Sequence, residues 1–98
     1  MAFVDDYDFY QLKNVTEELV FHELEMQLGA CGPEVCRCKD CVLDMAAMAL
    51  SSVKPKYHAS LLGSQYAAQA MNERAYADSI QQAVARAIEK VSSNPAHD

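Results

Sequence analysis

The chain has 98 residues, with eight Lys and Arg against fourteen Asp and Glu and a formal charge of −6. Hydrophobic residues make up 51% and charged residues 22%, which excludes a disordered polyelectrolyte and suits one small globular domain. The acidic balance argues against broad binding to a nucleic-acid backbone, and no run of about 18 apolar residues is present to span a membrane.

Residues 1–13 read as an N-terminal arm in which Phe3, Tyr7, Phe9 and Tyr10 are set among Asp5, Asp6 and Asp8. The arm lacks a basic n-region, so it does not read as a secretory signal, and a cytoplasmic setting is expected. Its rings are anchors for the core or for a second subunit. Residues 14–98 then read as a single helical domain. Asn14 to Glu17 has the form of a helix N-cap with a glutamate three residues on. The helix runs to about Leu28, carries Val20, Leu24 and Leu28 at steps of four, and stops at Gly29. Glu17, Glu18, Glu23 and Glu25 form a solvated acidic face, with a carboxylate site as the alternative.

All four cysteines fall between Cys31 and Cys41, with the spacing C-x4-C-x-C-x2-C. A disulfide scaffold spreads its cysteines to close long loops, whereas this cluster closes almost nothing. Four thiolates converging from Cys31, Cys36, Cys38 and Cys41 suit a tetrahedral Zn²⁺ with no open position, a structural site rather than a catalytic one. An iron–sulfur cluster, or redox-active or merely buried thiols, remain alternatives. Arg37 and Lys39 alternate with the ligands and are expected to offset the thiolate charge.

Asp40 is positioned to cap a second helix over residues 41–52, with Leu43, Ala46, Ala47 and Leu50 on one side and Met45, Met48 and Ala49 spreading the apolar surface further round, so burial on most of its face is expected. Pro55 ends that helix within Val53-Lys-Pro-Lys-Tyr57. No Asp or Glu occurs between Met45 and Asn72, so Lys54 and Lys56 make a small cationic island that also holds His58, Tyr57 and Tyr66. Ammonium groups and aromatic rings together suit an anion bearing flat rings; the plainer reading is a solvated loop. Ser64 is positioned to cap a last helix toward Val91, with Ala77, Ile80, Val84, Ala87 and Val91 as its seam. Unbroken, it would be about 40 Å long, so pairing with another subunit or a break near Ala77, at Asp78-Ser-Ile-Gln81, is expected. No strand signal is strong. His22, His58 and His97 are scattered, no catalytic motif occurs, and an enzyme is not expected.

These residues resemble the ComFB family, the late competence development protein family. The resemblance rests on Asn14 to Glu17, Cys36-Arg-Cys38-Lys-Asp-Cys41, Val42 to Leu50 and the Pro55-Lys-Tyr57 turn. Gly63, Tyr76-Ala-Asp78 through Ala87-Ile88 and Pro95-Ala-His97 complete it. Before the Tyr, where the family commonly reads Leu-Pro-Pro, this chain has Val53-Lys54-Pro55. The resemblance implies an all-α homodimer with zinc at Cys31, Cys36, Cys38 and Cys41. It also implies a regulatory role in motility, pili or competence, through a cyclic dinucleotide such as cyclic di-GMP or cyclic di-AMP. Lys54, Lys56 and Tyr57, with Arg74, are the ligand contacts carried over. The alternative is a structural adaptor that binds a partner protein and no small molecule.

Overall fold

The computed structural model describes residues 2–59 and 73–95. Among them the chain forms three α-helices: α1 (Val15–Ala30), α2 (Lys39–Ser52) and α3 (Arg74–Ser93). The all-α expectation holds, with one addition: a two-residue antiparallel bridge joins β1 (Lys13–Asn14) to β2 (Tyr57–His58). Two single 3₁₀ turns, Phe3–Asp5 and Phe9–Gln11, shape the arm. Ser64, Tyr66 and His97, and so the expected start of the last helix at Ser64, lie outside the described residues.

Asn14 caps α1, its side chain accepting from the Thr16 amide at 3.1 Å. Val20, Leu24 and Leu28 are buried at steps of four, which keep them on one face of a 3.6-residue helix, and Val15 and Thr16 are buried separately in its first turn. The helix does not stop at Gly29 but continues to Ala30. No glycine in the described residues has positive φ, so Gly29 is not a left-handed cap; in the last turn of α1 the Leu28 carbonyl accepts from the Cys31 amide and from the Arg37 side chain.

The second helix corrects the sequence reading twice. Its N-cap is Cys38 rather than Asp40, which sits in the first turn. Its core face is Cys41, Met45, Ala46 and Ala49, whereas Leu43 is 58% exposed and Ala47 is exposed. Residues 41–50 are apolar nearly all round, so their periodicity leaves the phase of the helix open. Cys41, 1% exposed and held by the cysteine loop, sets that phase and carries Met45 inward one turn later.

A helix running unbroken toward Val91 from Ser64 is excluded, because Glu73 is extended; the interruption falls four residues before Ala77 and not at Asp78, and from there starts the last helix. It runs without interruption from Arg74 to Ser93, begins at the cap residue Glu73, and the Ala77 amide bonds the Glu73 carbonyl at 3.1 Å. The alternative cap at Asp78 loses because Tyr76 and Ile80 are both engaged, one in a hydrogen-bond knot and the other in the core. Ile80, Val84, Ala87 and Val91 are buried as expected, joined by Ala83 and Ile88, while Ala77 is exposed. The small Ala83, Ala87 and Ala49 let α3 lie close to α2, which packs against it more extensively than α1 does.

This arrangement separates the two possible faces of α2. Met45→Ala is expected to lower unfolding free energy by roughly 2–5 kcal/mol, the range for truncating a buried apolar chain. Leu43→Ala is expected to cost under about 1 kcal/mol. Urea denaturation of both variants checks this, and a larger loss for Leu43→Ala contradicts the observed phase.

Candidate metal centre

The loop from Cys31 to Cys38 reverses the chain between α1 and α2, and Arg37 organises it. Its guanidinium donates to the Val35 carbonyl at 2.8 Å, the Cys31 carbonyl at 3.0 Å, the Gly32 carbonyl at 3.3 Å and the Leu28 carbonyl. The planar fork of five donors makes such a fan possible; a lysine ammonium has only three. Arg37 therefore caps the C-terminus of α1 and ties the turn to it. Its hydrogen-bond donors face carbonyls, a role beyond the charge offset expected from its place between the cysteines.

That turn presents the thiols. The sulfurs of Cys36, Cys38 and Cys41 lie within 4.8 Å of one another, Cys36 and Cys38 half-buried and Cys41 buried. The Cys38 sulfur accepts the Cys41 amide at 3.4 Å, so one ligand candidate is also the N-cap of α2. The Cys36 thiol is held below its ordinary range, first by the Cys38 backbone amide and then by the Cys38 and Cys41 side chains, against some desolvation. Partial positive charge at the N-terminus of α2 acts in the same direction, favouring thiolates. Cys31 is the C-cap residue of α1, half-buried, and stands outside the group of three. No disulfide joins any of the four.

The donor set fits a soft divalent ion. Tetrahedral thiolate coordination at about 2.3 Å places sulfurs about 3.8 Å apart, a contraction of about 1 Å or less from the observed spread. Cys36, Cys38 and Cys41 could hold such an ion, which would neutralise thiolates otherwise crowded at one turn.

The residues carried over as ligand contacts lie at the opposite end of α1. The Lys56 amide donates to Asn14 Oδ1 and the Val15 amide to the Lys56 carbonyl, both at 2.8 Å. The Lys54 carbonyl accepts from the Tyr76 hydroxyl at 2.8 Å and from Thr16 Oγ1 at 3.0 Å, and those hydroxyls also contact each other. Two protons serve three contacts, so Lys54, Thr16 and Tyr76 form one closed knot. The Lys56 ammonium lies 5.2 Å from the centre of the Tyr76 ring, within cation–π range. Arg74 stands two residues before Tyr76 at the start of α3 and is exposed, as are Lys54 and Tyr57. The structure thus brings Lys54, Lys56 and Tyr57 into a strap at this end of α1, with the first turn of α3 pinned to it. Thr16 and the pinning role of Tyr76 were not apparent from sequence, where they are 60 residues apart.

Two grooves open elsewhere. One, about 360 Å³ between α1 and α2, is lined by Phe21, Leu24, Leu28, Val42, Leu43 and Ala46, with Glu25 at its side. The other, about 660 Å³ along α2 and α3, is bordered by Asp44, Met48, Arg86, Glu89 and Lys90.

Three packed helices with a thiol-bearing reversal between the first two define a small helical domain whose cysteine cluster could hold a metal ion. The model of the late competence development protein ComFB matches residues 13–95, and the chain belongs to that family. Among solved structures it is similar to the late competence protein ComFB from Bacillus subtilis, with 21% identity and a TM-score of 0.71. That match covers 87% of this chain and 92% of the other, and it is a likeness of fold. A search of curated proteins found no match. No helix among the described residues is long and apolar enough to cross a membrane.

Arg37→Gln removes a multi-carbonyl clamp while leaving every cysteine in place. It is expected to lower stability by about 2–3 kcal/mol and to raise amide exchange in residues 31–38. Exchange monitored by mass spectrometry checks this, and unchanged protection of the loop contradicts the role given to Arg37.

Proposed function

We propose that this protein is a non-enzymatic bacterial regulatory protein: a homodimer with structural zinc that binds a cyclic dinucleotide at Lys54, Lys56, Tyr57 and Arg74. The zinc ligands are Cys36, Cys38 and Cys41, with Cys31 completing the four. The observation that carries the ligand reading is the Tyr76 knot. It draws the Lys54–Tyr57 strap to the first turn of α3, so two lysines and an exposed ring lie at the end of the helix that begins with Arg74, which supports this reading. Cyclic di-GMP and cyclic di-AMP each carry two phosphates and two purines. Ammonium and guanidinium groups suit the phosphates, and Tyr57, 60% exposed, offers a face for a base. A two-fold dimer presents each contact twice to a two-fold ligand. The output is control of competence, motility or pili through a downstream protein, in the cytoplasm.

Calorimetry on the metal-replete protein with both dinucleotides tests this. Saturable heat at micromolar or tighter affinity is expected, and Lys54→Ala with Lys56→Ala is expected to weaken it at least tenfold with helicity unchanged. No heat with either dinucleotide contradicts the reading.

The second reading is an adaptor that binds a partner protein without a small ligand. The groove between α1 and α2 favours it: Phe21 and Leu43 are 50% and 58% exposed along a lining with one charged residue. Loss of a partner on Leu43→Asp, with no dinucleotide bound, supports that reading over the first.

A further inference from the structure

Residues 2–12 precede the stretch that the family model matches and present a surface of their own. Phe3, Tyr7 and Phe9 form a tilted triad with ring centres 4.8, 6.0 and 6.2 Å apart. They nevertheless remain 67%, 59% and 47% exposed. Asp5, Asp6 and Asp8 are interleaved with these rings, and no basic residue precedes Lys13. Anionic groups joined to flat rings are also the chemistry of a nucleotide. The arm is rooted beside the strap by the β1–β2 bridge and by the bonds of Lys56 to Asn14 and Val15. Asp8 is five residues from Lys13, a reach of at most about 17 Å.

We propose that this acidic aromatic arm is an intrachain competitor that docks on Lys54, Lys56, Tyr57 and Arg74 and holds off an anionic, ring-bearing ligand. The inference rests on the strap being the ligand surface. Tethering gives the arm a local concentration in the millimolar range without any strong contact. Charge fixes the sign of its effect. At about 10 Å in water each carboxylate opposes a phosphate by roughly twofold in affinity, so three carboxylates hinder the ligand more than they assist it. The triad packed on itself and the arm docked on the strap are alternative arrangements, and a ligand displaces the arm toward the first.

The test uses the metal-replete 98-residue chain and its Asp5→Asn, Asp6→Asn, Asp8→Asn variant, in which asparagine can still accept the Tyr10 amide bond of Asp8. Zero-length carbodiimide coupling at low salt is expected to join Asp5, Asp6 or Asp8 to Lys54 or Lys56 within one chain. Cyclic di-GMP is expected to suppress those links. By calorimetry the variant is expected to bind cyclic di-GMP three- to eightfold more tightly, the difference vanishing near 0.5 M NaCl. Absent links, or equal or weaker binding by the variant, overturn the arm's role and leave the ligand reading standing. If links form but neither protein binds the dinucleotide, the ligand reading is overturned and the competition with it.

Discussion

The reversal between α1 and α2 is the constraint on which the rest of the chain depends. Arg37 gathers the carbonyls of Leu28, Cys31, Gly32 and Val35, and three thiols come together on the turn so formed. Because Cys38 caps α2 and Cys41 lies one turn inside it, the loop dictates which side of that helix meets the core. Met45 and Ala49 follow from Cys41 at helical spacing, and α3 closes over them with its alanines. A metal ion at the thiols would act on this same joint, fixing the rotation of α2 as well as the path of the loop.

The other end of α1 is closed by different chemistry. Asn14, Thr16 and Tyr76 hold the Lys54–Tyr57 strap through hydrogen bonds, one of them to a threonine that is 1% exposed. A buried hydroxyl needs partners, and Lys54 and Tyr76 supply them, so no buried side-chain polar atom among the described residues is left unsatisfied. The functional consequence is division of labour along one helix: a sulfur-rich joint at its C-terminus positions the core, and a hydrogen-bonded knot at its N-terminus positions the cations. Loosening the first reaches the second only through α1 and the helices packed on it.

Sequence made α3 legible because it carries a single apolar stripe, and made the core positions of α1 legible through the steps of four from Val20, although Phe21 and Met26 lie exposed beside them. Val20, Leu24 and Leu28, and Ile80, Val84, Ala87 and Val91, are buried as their spacing implies. The phase of α2 was not legible, since leucine, methionine and alanine surround it and only the tertiary position of Cys41 selects a face. Of the four thiols whose spacing implied convergence, Cys36, Cys38 and Cys41 come together and Cys31 stands outside them; the capping role of Arg37 could not be read, because its reach back to Leu28 spans nine residues with no local motif. Likewise the interruption expected near Ala77 falls at Glu73, and the plausible local cap at Asp78 lost to long-range engagement of Tyr76 and Ile80 on either side. Local preference decided where α1 begins, and tertiary contact decided where α3 continues.

The central claim is that one ion bound by cysteine sulfur fixes the α1–α2 joint. X-ray absorption spectroscopy at the metal edge of the protein as purified measures this directly. The account predicts one zinc per chain with a shell of four sulfurs at about 2.3 Å. A protein without bound metal, or a shell dominated by nitrogen and oxygen, contradicts it.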